Sequence, residues 1–423
     1  MESSVTLVTL AVLSFLARTA ILRAVLRTLR KAEYAELMIL FFIQAAAMAI
    51  WFVPLGSILD AHGLHAIKPF AFATNALASF VSPLMFGAMA DRQVPPARVL
   101  RWLATTTAIA MALIGVAIQH GWNPWLILLI IQFFSLAYTP MFSISTALVL
   151  ARLENARKEF GSVRALATIG WIAGALLIGL MNLDCSVVTE YLGVAVWLMV
   201  AAFTYFLPQL EIPPSAEHLT WHERLGLDAL TLLKDRDTRV IFITTTLFNI
   251  PIAAFYPYAP THLHDLGLHN TSAWMCLGQV SEIVGMFGIG WLLLNWRLKW
   301  IIICGLCIGV ARFAFSALNT KIWLLLGIGL HGASFVLVFI TATIYINHRV
   351  EAAWRTRAQA LLTLMYGGVG NLIGYLGTGW WYNYCTQTNG TRWTCFWGML
   401  TAFVVAILIY FTMAYRGQMD EKP

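Results

Sequence analysis

Residues 208–236, PQLEIPPSAEHLTWHERLGLDALTLLKDR, form the largest polar interval between apolar runs in this chain of 423 residues. The interval contains Pro213-Pro214 and then a short amphipathic stretch at 221–234. Six long apolar runs precede it and six follow it. Two equal sets of apolar runs on either side of a polar linker predict two bundles of six helices.

The apolar runs are long enough to cross a membrane. Each is close to the roughly 20 residues that a helix needs to span a hydrocarbon core of about 30 Å. Of all residues, 60% are hydrophobic and 11% are charged, and the mean hydropathy is +0.75. These values are far from those of a soluble domain. The predicted spans are 36–58, 68–90, 99–119, 124–149, 161–182, 188–207, 237–263, 271–294, 298–318, 321–346, 357–380 and 394–415. The sequence therefore predicts an all-α membrane protein with twelve transmembrane helices.

This pattern divides the chain into five predicted regions. They are an N-terminal basic and apolar segment (1–35), an N-terminal six-helix bundle (36–207), a cytoplasmic linker (208–236), a C-terminal six-helix bundle (237–415) and a cytoplasmic tail (416–423). In the first region only the 13 residues 5–17 are mainly apolar, and basic residues follow them, which favours an interfacial amphipathic helix. A signal anchor that adds a thirteenth span, and an upstream extension of a mis-assigned start, are the alternatives.

The basic residues lie mainly on one predicted side of the membrane. Of the 27 lysines and arginines, Lys68, Lys321 and Arg392 lie on the opposite side and Arg312 lies within a span, which leaves 23. The positive-inside rule then predicts that both termini are cytoplasmic. We expect a multi-pass protein of the plasma membrane, with a bacterial inner membrane favoured. The net charge of +7 comes from basic residues that lie mainly on one side of the predicted membrane and are not clustered on one domain face. It therefore does not indicate a nucleic-acid partner.

The reactive residue types show no pattern of an enzyme or of a metal centre. The six cysteines do not indicate a zinc site, since Cys304 and Cys307 lie within an apolar helix and Cys185 and Cys276 are isolated, and no cofactor is expected. Cys385 and Cys395 flank the last predicted external loop, where a disulfide is one of two open interpretations. The chain has no G-x-S-x-G or H-E-x-x-H motif. We therefore predict that the protein is not an enzyme.

Two groups of polar side chains interrupt apolar spans at helical spacing. Arg164, Thr168 and Trp171 are at i, i+4 and i+7 in span five, and Gln279 and Glu282 are at i and i+3 in span eight. Residues with these spacings share one face of a helix. An ionisable side chain in hydrocarbon costs on the order of 3 kcal/mol, so it usually faces a bundle interior or a cavity. The pattern indicates a solute carrier.

Several short blocks give the chain a family resemblance. The loop Gly87-Ala88-Met89-Ala90-Asp91-Arg92 is similar to the G-x-x-x-D-R motif of the major facilitator superfamily. Leu225-Gly226-Leu227-Asp228-Ala229-Leu230, followed by Leu232-Leu233-Lys234, resembles the linker signature of the bacterial nucleoside:proton symporters in that superfamily. The resemblance extends over residues 37–415. Other matching blocks are Ala137-Tyr138-Thr139-Pro140, Gln279-Val280-Ser281-Glu282 and Arg312-Phe313-Ala314.

The resemblance implies a substrate pocket at matching positions. The family uses an Arg, a Thr and an aromatic residue on span five, which match Arg164, Thr168 and Trp171. The aromatic residue is usually Phe, so a tryptophan reshapes the pocket. On span eight the family supplies a Gln and a Glu, which match Gln279 and Glu282.

Two other spans depart from the family pattern. Span ten of the family supplies two aromatic residues and then an Asp, and the matching positions here are His331, Phe335 and Val336. The Asp is therefore absent. On span seven, Ala253 and Tyr256 stand where the family has amide side chains. Both departures weaken the expectation of nucleoside specificity and of proton coupling.

The candidate proton carriers are a carboxyl group and an imidazole. Glu282 is about 11 residues into its predicted span, roughly 16 Å deep at 1.5 Å per residue. A carboxyl group at that depth is suited to bind and release a proton. The alternative is a structural ion pair with Arg312 on the next span. His331 is the second candidate, because the neighbouring Asp is missing. For Arg164, the alternative to a place in the substrate pocket is that its long side chain reaches the membrane interface.

These observations favour a secondary active transporter that imports nucleosides by alternating access, coupled to protons. The alternative is a facilitator, or a symporter of another small polar solute such as a sugar, because Val336 replaces the family Asp. An intramembrane enzyme and a transporter-like receptor have little support. The expected partners are a nucleoside, protons and membrane lipid.

Overall fold

The computed structural model describes residues 32–91, 94–152, 156–207, 220–225, 227–351, 354–388 and 390–417. In these ranges the chain is mainly helical, and strands β1 (Thr386–Gln387) and β2 (Gly390–Thr391) form one antiparallel hairpin. The helix predicted for the N-terminal segment falls on residues outside the described ranges. The chain divides into two compact units.

Unit 1 consists of the chain up to His218 together with the segment His269–Cys276. Its helices are α1 (Ala32–Phe52), α2 (Leu55–Ala61), α3 (Lys68–Asp91), α4 (Pro96–Gln119), α5 (Pro124–Arg152), α6 (Ala156–Leu180) and α7 (Val188–Phe203). Helix α1 packs against α6 and α7, and α4 packs against α5 and α7. Proline opens α4 and α5, where its missing N–H group is not needed by the helix.

Unit 2 consists of residues Leu219–Leu268 and Leu277–Pro423. Its helices are α8 (Trp221–Arg224), α9 (Arg236–Ile252), α10 (Phe255–Asp265), α11 (Thr271–Asn295), α12 (Leu298–Ala317), α13 (Lys321–Gly329), α14 (His331–Phe335), α15 (Thr341–Arg349), α16 (Arg355–Thr363), α17 (Asn371–Cys385) and α18 (Trp393–Ala414). The first residues of α11, up to Cys276, are the segment grouped with unit 1. Helix α12 packs against α13 and α18.

All twelve predicted spans coincide with helical segments in the described residues. Nine helical rods in this part of the chain are long and apolar enough to cross a membrane. Two further apolar helical segments, Leu166–Leu180 within α6 and Val188–Phe203 (α7), are shorter. The predicted all-α membrane architecture is therefore confirmed, while the number of twelve crossings and the domain boundaries stay predictions.

The second part of the linker is packed structure. Residues Leu227–Lys234 form a 3₁₀ helix, and Ala229 is fully buried in an apolar cluster with residues of α9, α15 and α16. Arg357 Nη1 donates to Asp228 Oδ2 at 2.7 Å, and its Nη2 lies 3.3 Å from Glu223 Oε1. One guanidinium thus fastens two carboxylates of the linker to α16.

Two stretches of unit 2 are π-helical, Val336–Ile340 and Leu364–Gly370. A π-turn inserts one residue and changes which side chains share a face. Asn249 on α9 supports the second stretch, because its Nδ2 donates to the carbonyl oxygen of Tyr366 and to Asn371 Oδ1, both at 2.7 Å. Side-chain spacing beyond these points therefore departs from that of a regular α-helix.

Asp235 fixes the start of α9. Its carboxylate accepts hydrogen bonds from the N–H and the hydroxyl of Thr238, at 2.9 and 2.7 Å, and Arg349 Nη2 donates to it at 3.3 Å. Partial burial acts to raise the pKa of Asp235, but the hydrogen bonds from Thr238 and the charge of Arg349 outweigh it, so the pKa is lower than usual. The carboxylate form is the one that caps the helix.

We expect Asp235→Ala to lower the free energy of unfolding by about 1 kcal/mol, because the helix loses its N-cap. A lowered pKa means that this stabilisation is present above the pKa of the unfolded chain. It disappears as pH falls through the folded-state value. Thermal unfolding of the purified protein at pH 7 and at acid pH measures both effects. An equal loss at both pH values would contradict the assignment, and Asp235→Asn, which keeps a capping oxygen, is the control.

Candidate functional site

Helix α6 carries the unit 1 part of the predicted site beside its contact with α1. Gly170 lies directly against the Phe42 carbonyl of α1. Residues turn by about 100° around a helix, so Trp171 lies to the side of that contact and Thr168 lies nearly opposite it. Both side chains are half-buried, and the Trp171 ring meets Phe52 edge-on, with ring centroids 6.2 Å apart. The face therefore offers a hydroxyl group and an indole ring.

Arg164 belongs to the same helix, one turn before Thr168. Helix α6 is continuous from Ala156 to Leu180, which preserves the predicted i, i+4, i+7 spacing. The Arg164 side chain lies outside the described part of the structure. Its contact with substrate stays a prediction.

The unit 2 part of the site begins with an amide and a phenol. Gln279 Nε2 donates to Tyr256 Oη at 3.0 Å. The other amide atom, Gln279 Oε1, is buried and has no hydrogen-bond partner among the described residues. Tyr256 stands where the family has an amide side chain. In the structure its hydroxyl oxygen accepts the hydrogen bond from Gln279, a predicted site residue.

A buried cation and stacked rings continue this cluster. Arg312 Nη1 donates to His331 Nδ1 at 2.6 Å. The imidazole stacks on Phe255 with centroids 3.8 Å apart, and Tyr256 meets it edge-on at 6.3 Å. The Arg312 guanidinium lies 5.0 Å from the centre of the Phe255 ring. The interactions found for Arg312 are thus with an imidazole and aromatic rings, and its predicted ion pair with Glu282 stays a prediction.

Glu282 lies at a close contact between α11 and α14. Gly332 of α14 sits against the backbone of Glu282 and against the Gly278 carbonyl, leaving no room for a Cβ atom. The Glu282 side chain is half-buried. One turn further along, the Phe335 ring packs on Phe339 at 4.9 Å. The crossing therefore sets the position of Glu282 relative to His331, which precedes Gly332.

Val336, at the position of the missing family Asp, is part of the apolar core of unit 2. It is fully buried with Ile289, Ile301 and Leu337. A Cβ at Gly285 would lie 3.2 Å from Val336 Cβ, so the valine faces α11. The structure thus gives a reason for the apolar residue: its side chain fills the space between α11 and α12.

We expect Val336→Asp to destabilise the protein by about 2 kcal/mol or more, since it buries a carboxyl group among apolar side chains. Val336→Thr keeps the shape and adds only a hydroxyl group, so its effect should be smaller. Melting temperatures of the two purified variants and the parent measure the difference. A Val336→Asp protein as stable as the parent would show that this position has access to polar partners.

The sequence analysis missed Phe255 and Asn249. Both lie near the break between α9 and α10, where Pro251 falls within α9 and no α-helix covers residues 253–254. The prolines at 251, 257 and 260 were the available signal, because proline removes backbone hydrogen bonds and favours a break. A broken helix brings Phe255 and Tyr256 to the cluster, while Ala253 packs against Gly374 of α17.

The chain has the major facilitator fold, as two solved structures show. The crystal structure of the nucleoside transporter NupG superposes with a TM-score of 0.82 at 23% identity, covering 91% of this chain and 99% of that one. The POT family transporter PepTSo gives 0.72 at 13% identity, covering 91% and 99%. These likenesses confirm the predicted fold.

The sequence model described as Nucleoside H+ symporter matches residues 32–420. The chain belongs to this family, as the linker signature predicted. YegT of Escherichia coli K12, provisionally described as a nucleoside transporter, is 29% identical over 92% of this chain and 95% of its own length. The nucleoside permease NupG of the same strain is 23% identical over 92% and 97%. The chain is therefore a multi-pass membrane transporter and not an enzyme.

Proposed function

We propose that this protein imports nucleosides together with protons by alternating access. The observation that carries the proposal is the family match, which covers residues 32–420 and includes every predicted site residue. The names of YegT and NupG agree with it. The chemistry of the two clusters fits a nucleoside, which needs aromatic surface for its base and hydrogen-bonding groups for its base edge and ribose.

Each predicted site residue has a role in this proposal. Trp171 and Phe335 supply aromatic surface, and Thr168 and Arg164 supply hydrogen-bond donors. Gln279 is the sharpest specificity candidate: Tyr256 holds its amide nitrogen, while its buried amide oxygen is without a described partner. An unpaired buried acceptor is unfavourable, so a substrate N–H or O–H group at this oxygen would be strongly preferred.

Glu282 is the proposed proton carrier of the substrate site. His331 is less suited to that role, because the Arg312 guanidinium occupies the lone pair of its Nδ1. A proton can bind there only after Arg312 has moved. We therefore assign His331 to the wall of the site, where its ring stacks on Phe255 and its Nδ1 accepts a hydrogen bond from Arg312.

We further propose that the protein lies in a plasma membrane with both termini facing the cytoplasm. A bacterial inner membrane is favoured. The support is the excess of Lys and Arg on one side of the predicted spans. The membrane lipid and the proton are the other partners of the transporter, and no nucleic-acid partner is proposed.

Uptake of labelled uridine and adenosine into proteoliposomes, with and without an inward proton gradient, tests the function. The proposal predicts accumulation with the gradient and equilibration without it. Unlabelled nucleosides should compete, and sugars and dipeptides should not. Empty liposomes and a protonophore are the controls. Uptake of sugar with no uptake of either nucleoside would contradict the proposal.

A facilitator, or a carrier of another small polar solute, is the second candidate. Val336 favours it, because the family Asp is absent and its place is filled by apolar packing. Under this alternative the same experiment gives equilibration that the proton gradient does not change.

A further inference from the structure

Glu190 is a carboxylic acid in the interior of unit 1 that the sequence analysis did not single out. It is the third residue of α7, and its exposed fraction is 0%. Neither Oε1 nor Oε2 has a hydrogen-bond partner in the described structure. Buried carboxyl groups are normally hydrogen-bonded or paired, so this one calls for an explanation.

The surroundings of Glu190 are apolar. Its Cβ lies 3.2 Å from where a Cβ would stand at Gly115 of α4. One turn further along α7, Gly193 packs against Met111 of α4 and near Ile50 of α1. These contacts offer no cation and no hydrogen-bond donor to the carboxyl group.

Charged residues on the packed helices are distant. Glu36 of α1 is 14 residues from Ile50, about 21 Å along the helix, and Arg101 of α4 is 10 residues from Met111, about 15 Å along the helix. Arg98 is further still. The exposed His120, at the end of α4, bonds the Val116 carbonyl. Asp184, in the loop before α7, accepts hydrogen bonds from Thr271 and Ser272.

A cavity of about 460 Å³ adjoins this acid at the end of unit 1 that is predicted to face outside. It is lined by Val187, Val188 and Tyr191 of the α7 region, and by Gln119, Cys185 and His62 among others. The Tyr191 hydroxyl donates to Gln119 Oε1 at 2.8 Å. The Tyr191 ring lies against Gly115, beside Glu190. Residues on both sides of Glu190 in the sequence thus form part of the wall of this cavity.

Two titratable groups in the cavity wall do not pair with the acid. His62 Nδ1 bonds the Ile58 carbonyl at 2.8 Å. Partial burial, and then the charges of Asp184 and Asp60, raise the pKa of the Cys185 thiol. The thiol therefore keeps its proton at neutral pH and does not compete for one.

An ionised carboxylate in this place would carry a large desolvation penalty. The dipole at the start of α7 favours the negative form more weakly and does not offset that penalty. Binding one proton to the carboxylate removes the penalty. We propose that Glu190 is a proton-binding site of unit 1, loaded from the outer cavity beneath Tyr191, that carries a second coupled proton.

The step is a simple exchange. The carboxylate takes one proton from water of the outer cavity and becomes a neutral acid, and α4 and α7 close over it. After the transporter reorients, water reaches the group again and the acid returns the proton. The inference rests on the proposed proton-coupled import and adds a site separate from Glu282.

Glu190→Gln tests this site, because glutamine keeps the shape but cannot exchange a proton. We expect nucleoside counterflow to be retained, while the protons taken up with each nucleoside fall by about one and gradient-driven accumulation falls with them. Glu351→Gln, the same change at an exposed carboxylate, should match the parent. Unchanged proton uptake by Glu190→Gln would overturn the proposal. Failure of the parent to accumulate nucleoside would instead overturn the proposed function.

Infrared spectroscopy provides the second readout. The parent should show the band of a protonated carboxylic acid at neutral pH that Glu190→Gln lacks. Tyr191→Phe leaves the acid in place and removes the hydrogen bond to Gln119, so the deuterium exchange of this band should become faster. If Glu190→Gln fails to fold, the exchange rate in Tyr191→Phe is the test of the proposal. An unchanged rate would contradict the entry of protons from the outer cavity beneath Tyr191.

Discussion

Gly332→Ala is expected to destabilise the protein by about 3 kcal/mol or more, at the upper end of what overpacking usually costs. A Cβ at this position would collide with the backbone of Glu282 and with the Gly278 carbonyl. Backbone atoms cannot rotate away as a flexible side chain can, so α11 and α14 would have to separate. Small residues at such crossings are what allow membrane helices to pack closely.

The separation would also displace the site. Gln279 and Glu282 lie on α11 and His331 lies on α14, so the crossing sets their spacing. Melting temperature in detergent and nucleoside counterflow in proteoliposomes measure the two consequences. Gly329→Ala is the matched control three residues away, because a Cβ there meets nothing within 4 Å. Equal stability of the two variants would mean that the helices are not in close contact.

Glu282→Gln is expected to reduce proton-driven accumulation strongly and to weaken nucleoside binding. A hydrogen bond to a charged group contributes about 1.5–3 kcal/mol, which corresponds to roughly 10- to 100-fold in affinity. Glutamine retains the size and the hydrogen-bonding ability of the side chain but has no exchangeable charge. The loss should therefore be larger for accumulation than for counterflow.

Comparison with Glu190→Gln separates the two carboxyl groups. Glu282→Gln should raise the nucleoside concentration needed for half-maximal counterflow, whereas Glu190→Gln should not. Glu282→Asp, which restores a shortened carboxylate, should recover part of the accumulation. Normal accumulation by Glu282→Gln would remove this residue from the coupling mechanism.

The architecture could be predicted from the sequence because lipid imposes a simple rule. A span needs about 20 apolar residues, and the polar linker at 208–236 marked the division into two sets of spans. The linker itself was less predictable. The sequence does not show that Ala229 is buried against α9 or that Asp228 accepts a hydrogen bond from Arg357. Both contacts involve residues that are distant along the chain.

The candidate site was predictable where helices are regular. Arg164, Thr168 and Trp171 lie on one helix at the expected spacing. Prediction was poorer in spans seven and ten, where the backbone departs from the α-helix. The break before Phe255 and the π-helical turn at Val336–Ile340 determine which side chains face the cluster, and an assumed period of 3.6 residues does not capture either.

Polar partners were the least predictable feature. The sequence offered a carboxylate as the partner of Arg312, which stays a prediction, and did not reveal that its guanidinium donates to His331 and lies near Phe255. Such a choice depends on the packing of α10, α12 and α14 together. Glu190 was overlooked for the opposite reason, since a single carboxyl group near the start of a span resembles an interfacial residue until its burial is known.

The central claim is that nucleoside and proton enter together. It is tested most directly in proteoliposomes that contain a pH indicator and start with equal pH on both sides. Adding uridine outside should acidify the interior, and Glu282→Gln should acidify it less for each uridine that enters. Entry of labelled uridine without any change in internal pH would contradict proton coupling, and absence of both signals would contradict nucleoside transport itself.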